Sequence, residues 1–320
     1  MQPKVADAAL LRLLTPDMYY TAESDKAWMS PSLYKSITTC EARAMAKLAG
    51  DYEYPDMPAL TIGQVVESIV LNEDPDKVIS AHPEMYTTKL AETPDTIQIV
   101  ASAYPELVTR NMTWRQGALT KARELMPEAF DKQSYLKADY DIIQQCVDRL
   151  RSDKMLMEYL QGDHQTVLTG EIGGMRWKGK TDVIDIEHHR IVDLKVMRDF
   201  SRRGGLSFVE AMRYDEQLAD YVELARQTYG GDWEAYIVAV SKETPSDICL
   251  ARIPAWRIAE CLQSVEAGSP SVRAVWTGAR APHECGRCDY CREHKHITEP
   301  IDSDLVGMCR RELLDIGAID

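Results

Sequence analysis

Residues 169–197 read TGEIGGMRWKGKTDVIDIEHHRIVDLKVM, and the punctuation of this stretch divides it into three strands. Gly173-Gly174 separates 166–172 from 176–186, and the polar triplet Glu187, His188, His189 separates the second strand from 190–196. Side chains alternate along a strand, so Asp193 and Lys195 share one face while Leu194 points to the other. Pairing of the second and third strands about the 187–189 turn brings Asp182 beside Asp193. Two hard oxygen donors next to an ammonium suit a divalent cation such as Mg²⁺. Cation and lysine together can orient and polarise a water for attack on a phosphate. An isolated D-x-K is mostly an ordinary cross-strand pair, so the remaining residues have to decide.

With 320 residues and 45% apolar composition, the chain can bury one large core or two modest ones. No run approaches the ~18 apolar residues of a membrane span. The apolar patch at 8–14 is interrupted by Arg12 and followed by no small-residue cleavage site, so a cytoplasmic location without membrane attachment is expected. In that reducing setting the eight cysteines read as thiols or metal ligands before disulfides. The net charge of −14 argues against an indiscriminate nucleic-acid binder. Between Gly174 and Gly205, however, eight Lys or Arg face five acids, a local balance of +3 centred on the candidate carboxylates.

Before the strands, Ser30-Pro31 is a helix start, with Leu33, Ile37, Cys40 and Ala44 on one inward face and Gly50 as the stop. A single helix over 31–49 is expected. A second helix over 60–71 carries Ile62, Val65, Val66, Ile69 and Val70, with Glu67 set among them, where a carboxylate needs a partner. Residues 81–162 read as a polar passage through Ile99 followed by helical runs at 118–126 and 139–160. After the strands comes a basic, glycine-ended loop, 198–205, then a long helix over 208–229. Tyr214, Gln217 and Tyr221 fall on one side of it, and the amide of Gln217 requires hydrogen-bond partners there. Strands at 235–240 and 248–253 and a helix at 256–267 complete the reading. HECGRCDYCREHKH at 283–296 places Cys285, Cys288 and Cys291 at C-x2-C-x2-C, a compact metal-binding loop. Its fourth ligand is open among Cys40, Cys309, His283, His294 and His296.

Glu67 on a helix, Asp182 after a Gly-Lys-Thr turn, Asp193-x-Lys195 on the next strand and Gln217-x3-Tyr221 on the following helix resemble the ordered motifs of the PD-(D/E)XK nuclease superfamily. The last motif marks its RecB-like branch. MSPSLYKSITTCEARAMAKL and GQVVESIVLNEDPDKV are similar to the RecE-type exodeoxyribonuclease VIII nucleases of phages and prophages, which carry histidine where this chain has Glu67. Cys40 together with the C-terminal triplet is similar to the iron–sulfur members of the branch, such as the AddB nuclease domain and CRISPR-adaptation nucleases, which space their last cysteine further on. The resemblance spans roughly residues 30–291.

The resemblance implies an α/β fold with a restriction-endonuclease-like core, a central mixed sheet flanked by helices, and a helical insertion at 84–165. It implies one nuclease domain over 1–300, with 30–50 and 283–296 joined by a metal staple, and a tail at 301–320. Glu67, Asp182, Asp193 and the Leu194 carbonyl would hold Mg²⁺ or Mn²⁺, and Lys195 would position the water. Gln217 and Tyr221 would hold the ligands or touch the DNA backbone, while Arg198, Arg202, Arg203 and Tyr214 would bind DNA. Cys40, Cys285, Cys288 and Cys291 would carry a [4Fe–4S] cluster, with Zn²⁺ as the alternative. The implied activity is 5′-to-3′ degradation of a linear duplex end in a bacterial host, phage or prophage encoded, supplying single strand to an annealing protein. A homo-oligomer fits this picture. A single-strand or CRISPR-type nuclease and an inactive DNA-binding adaptor are the alternatives, and the intact Asp182, Asp193 and Lys195 set speaks against the adaptor.

Overall fold

Ser30 is extended and its Oγ accepts from the Leu33 amide at 3.2 Å, while Pro31 occupies the first helical turn, where a missing N–H costs nothing. That start belongs to a computed structural model describing residues 14, 18–53, 58–71, 86–90, 92–136, 139–296, 300 and 302–303. Cys309 and almost all of 301–320 lie outside the described residues. The chain forms two compact units, Met1–Met57 with Arg149–Asp320, and Pro58–Asp148. Among the described residues no helix is long and apolar enough to cross a membrane.

The N-terminal helices are α1 (Ala22–Ala27), α2 (Pro31–Thr39) and α3 (Glu41–Ala49). One helix was expected where α2 and α3 stand; it breaks at Cys40, which is extended at φ −158°. The hydroxyls of Thr38 and Thr39 turn back onto the carbonyls of Tyr34 and Lys35 at 2.9 and 2.6 Å, competing with continued helical bonding. Gly50, at φ 87°, ends α3 in the left-handed turn its missing side chain permits.

The Pro58–Asp148 unit contains α4 (Pro58–Val70), β1 (Tyr86–Leu90), α5 (Pro94–Ala103), α6 (Ala118–Leu125), β2 (Lys132–Leu136) and most of α7 (Asp139–Arg151). Ile62, Val65, Val66 and Val70 are buried, as their spacing predicts. Val100, Leu107, Val108, Ala118, Ala122 and Phe130 form a small core of their own. The antiparallel β1–β2 ribbon escapes the sequence reading because YTTKL and KQSYL are short and polar. Helix α5 begins inside the passage taken as irregular, held by a reciprocal Thr93–Thr96 capping box ahead of Pro94. The run 139–160 is two helices, since the Asp153 carboxylate accepts from Leu156 N at 3.1 Å and starts α8 (Lys154–Tyr159).

The core unit is built on β3 (Asp163–Ile172), β4 (Met175–Asp185), β5 (Arg190–Met197), β6 (Glu234–Ser241) and β7 (Ile248–Ile253), in that spatial order. β5 and β6 are parallel and every other pair is antiparallel, giving the expected mixed sheet. Gly173 and Gly174 both take positive φ, the requirement of a tight hairpin whose twist matches its strands. The Gly-Lys-Thr triplet expected as a turn lies inside β4. The β5–β6 crossover carries α9 (Phe208–Ala211) and α10 (Tyr214–Tyr229). These replace the single helix expected over 208–229. Arg213 adopts φ 54° and forks onto Glu216, with Nε–Oε1 at 2.8 Å, while the Lys35 ammonium takes the Met212 carbonyl.

Helix α10 packs on β3 and β4 at two glycines. A Cβ on Gly179 would lie 2.8 Å from the Tyr221 ring and 3.0 Å from Leu224. At Gly170 the neighbour is Gln227, whose amide accepts from Glu171 N at 2.9 Å and donates to Glu171 O at 2.8 Å. Helix α11 (Ala255–Trp276) outruns its expected end at Ala267, because Val272 and Val275 stay buried beyond Pro270 and the Ser269 hydroxyl reaches back to Val265 O. Helix α12 (Asp289–Glu293) closes the described fold. Trp177, Leu168, Leu218, Leu224 and Ile237 centre the main core.

Gly179→Ala should therefore lower stability by about 1–3 kcal/mol through overpacking against Tyr221, read as a lower urea midpoint. An unchanged midpoint would mean that α10 can lift from β4 without loss.

Candidate active site

Strands β4 and β5 are bonded to each other only over Val183–Asp185 and Arg190–Val192. Past that point they part. The Asp182 carboxylate takes over the bonding, with Oδ2 accepting the Leu194 N–H at 2.8 Å. On its other edge β5 remains paired with β6 through Asp193, Leu194 and Lys195. The fork thus places the Asp182 and Asp193 carboxylates around one opening. Because an extended residue points its N–H and C=O to the same edge, the Leu194 carbonyl faces this opening too.

Asp193 is 1% exposed. Its Oδ1 accepts from Gln217 Nε2 at 3.2 Å, and the same amide donates to the Tyr221 hydroxyl at 3.0 Å. Its Oδ2 is buried and paired with the Lys195 ammonium, with Oδ2–Nζ at 2.6 Å. Burial alone would depress the Lys195 pKa, but the charges of Asp193 and Asp182 override it and raise the pKa above the ordinary lysine value. The ammonium also lies 5.2 Å from the centre of the Tyr214 ring. A buried ion pair is a poor source of stability, and its concentration with a second carboxylate in an opening is the pattern of a working site.

The residues fit a divalent cation: the carboxylates of Asp182 and Asp193 and the Leu194 main-chain carbonyl are the hard oxygen donors that Mg²⁺ or Mn²⁺ prefers. Asp182, Asp193, Leu194, Lys195, Gln217, Tyr221 and Tyr214 are all brought together here. Glu67 sits on α4 in the Pro58–Asp148 unit, half-buried beside Val66.

The arginines of the 198–205 loop are exposed but not all free. Arg198 pairs with Asp199 at 2.7 Å, and the Arg202 guanidinium closes the loop onto the Gly205 carbonyl, leaving Arg203 projecting. The local positive balance is also partly internal. Lys178 is 1% exposed, bonded to Tyr19 O, Ser24 Oγ and Asp25 Oδ1, and Arg190 is paired with Asp185 at 2.6 Å. Two residues passed over in the sequence stand nearby. Lys180, one alternation before Asp182, lies 4.9 Å from the ring centre of Tyr20, which is 75% exposed. Alternation on β4 could have picked out Lys180; nothing in the sequence marks Tyr20.

The second cluster joins Cys40 to Cys285, Cys288 and Cys291, all four sulfurs lying within 4.8 Å of one another. His283 is bonded to Arg280 and Glu41, and His294 to the Tyr290 carbonyl and ring, while the Cys40 thiol stands with the triplet. Glu41 fixes the approach, accepting both guanidinium nitrogens of Arg280 at 2.9 and 2.7 Å and the His283 amide at 2.9 Å. These thiols could hold a metal.

A mixed sheet with a carboxylate–lysine fork and a glutamine–tyrosine helix defines a PD-(D/E)XK-type core. The chain belongs to the family described as a PDDEXK-like domain of unknown function (DUF3799), which matches residues 30–110 and 114–294. Its fold is similar to the crystal structure of a candidate exonuclease from Eubacterium rectale, with 28% identity and a TM-score of 0.72, covering 92% of this chain and 98% of that one. SSO0001, 15% identical over 74% of this chain and 95% of that one, reaches a TM-score of only 0.28 and supports nothing further. No curated protein matches.

Asp182→Ala leaves the Leu194 amide without its acceptor and removes a candidate metal donor. It should cost roughly 1–3 kcal/mol, and Mn²⁺ should raise the Tm of the unaltered protein but not that of the variant. An Mn²⁺ shift equal to that of the parent would take Asp182 out of the metal site.

Proposed function

We propose that this chain is a Mg²⁺- or Mn²⁺-dependent DNA exonuclease of the RecE-type, RecB-like branch. The observation that carries the reading is the Asp193 carboxylate, buried at the parting of β4 and β5, with one oxygen held by Gln217 and the other paired with the Lys195 ammonium. Asp182, Asp193 and the Leu194 carbonyl would hold the ion. A bound divalent ion supplies Lewis acidity and neutralises charge on the phosphoryl oxygens.

Lys195, kept cationic by its two carboxylates, donates a hydrogen bond to the attacking water or to a non-bridging oxygen. Little covalent work falls to the protein in such a displacement, so positioning dominates. Gln217 and Tyr221 do that positioning: a single amide ties the metal-side carboxylate to a buried phenol and fixes its rotamer. Arg202, Arg203 and Lys180 offer charge to backbone phosphates, while Tyr20 and Tyr214 offer ring faces to a base. The similarity to a candidate exonuclease supports action at a DNA end. The 5′-to-3′ direction, the linear duplex substrate, the phage or prophage setting in a bacterial cytoplasm and the annealing-protein partner rest on the RecE-type resemblance.

End-labelled linear duplex should be degraded with Mg²⁺, spared with EDTA and untouched by Lys195→Ala, whose circular dichroism should match the parent. Covalently closed circles should survive. Arg202→Glu with Arg203→Glu should weaken DNA binding and flatten its salt dependence. Full activity of folded Lys195→Ala would remove the lysine from the mechanism, and equal attack on circles would remove the requirement for an end.

A further inference from the structure

The sulfurs of Cys40 and Cys291 are 3.5 Å apart, those of Cys288 and Cys40 3.7 Å, and those of Cys285 and Cys291 3.9 Å. None of the remaining separations exceeds 4.8 Å. With Zn–S bonds of about 2.3 Å, the edge of a regular tetrahedron of four sulfurs is about 3.8 Å, which is where the three measured distances fall. A [4Fe–4S] cubane is a different shape to its ligands. Each cysteine then binds a separate iron at a corner of the cluster, so the sulfurs stand apart by the tetrahedral edge widened by the metal–metal separation. The thiols as placed leave room for one ion at their centre and none for four irons and four sulfides.

We infer that Cys40, Cys285, Cys288 and Cys291 hold a single zinc ion as a closed tetrathiolate, in place of the iron–sulfur cluster that the family resemblance implies. Its surroundings suit that role. Four thiolates fill a tetrahedron and leave no open position for a substrate, as expected of structural and not catalytic zinc, and Cys40 and Cys291 are buried while Cys285 and Cys288 are half-buried. Two main-chain amides point at the sulfurs, Cys288 N at Cys285 Sγ and Cys291 N at Cys288 Sγ, each at 3.4 Å, and amides aimed this way stabilise thiolate charge. Gly286, at φ 72°, makes the turn that brings the first two thiols together. On the facing side the extended backbone of Cys40 directs its thiol out of the helical line. Tyr52 and Arg43 meanwhile hold Asp289, at 2.5 and 3.3 Å, against α3.

The consequence is a crosslink between residues 251 positions apart. Closing so long a segment in the unfolded chain carries an entropy that the bound ion removes. Zinc itself has no redox chemistry, so reductants that change the state of a cluster leave this crosslink in place.

The test uses untagged full-length protein, expressed in medium supplying both iron and zinc and purified with and without oxygen. Elemental analysis should give one zinc per chain, with neither iron nor acid-labile sulfide, and a colourless solution under both conditions. Exchange of the ion for Co²⁺ should yield the intense visible bands of a tetrahedral cobalt tetrathiolate. Cys40→Ser and Cys291→Ser should each lose stoichiometric zinc and melt at a lower temperature. Asp193→Ala should keep its zinc, so that failure here is separable from failure of the nuclease reading. A brown anaerobic protein with about four irons and matching sulfide per chain would overturn the inference. So would protein free of metal under every condition, or zinc retained in full by Cys40→Ser.

Discussion

The carboxylate of Asp193 is a charge placed where water cannot reach it, and the geometry around it follows from that placement. A buried anion must be answered. Lys195 answers one oxygen and Gln217 the other. Lys195 can do so because it lies two residues along the same strand; Gln217 can because α10 runs across the sheet close enough for its amide to reach β5. That closeness depends in turn on Gly179, where any side chain would collide with Tyr221. The parting of β4 from β5 completes the arrangement, because a continued ladder would fill the opening with main-chain hydrogen bonds. The site is therefore a gap in a sheet, kept open by an aspartate that stands in for a backbone carbonyl.

The sequence made the sheet and the site legible wherever a short period carried the information. Alternation in 169–197 located three strands and set Asp193 and Lys195 on one face; the i, i+4 relation of Gln217 and Tyr221 put both on one side of a helix, and the structure joins them through a hydrogen bond. Failures occur where a single residue overrides the period. Cys40 and Arg213 each interrupt a continuous apolar pattern, one in an extended and one in a left-handed conformation, and in both cases side-chain bonds to distant or local partners decide the outcome. Helix α11 departs in the opposite sense, since burial of Val272 and Val275 carries it past Pro270 and beyond the end expected at Ala267. Local charge was the least informative quantity. Lys178 counts as a cation in the sequence, but in the fold its ammonium is an internal donor to Tyr19, Ser24 and Asp25.

The two candidate sites occupy separate places and use different donors. Hard oxygens gather at the β4–β5 fork, while soft sulfurs gather where α3 meets the C-terminal loop. The fold thereby sorts two kinds of metal preference without any single residue belonging to both sets. Glu41 and Arg280 draw the sulfur-bearing segments together independently of the thiols, so the cysteines approach one another across a surface already matched in charge.

Strand β3 is an outer strand of the sheet, and the unpaired donors and acceptors of such a strand are a template for another chain. The Gln227 side chain occupies both the amide and the carbonyl of Glu171 on that rim, copying with one primary amide the pair of bonds an incoming strand would make. Gly170 leaves the space that lets it lie there. Helix α10 thus serves the candidate site and the sheet rim alike: Gln227, six residues beyond Tyr221, takes the main-chain groups of Glu171 that an added strand would need.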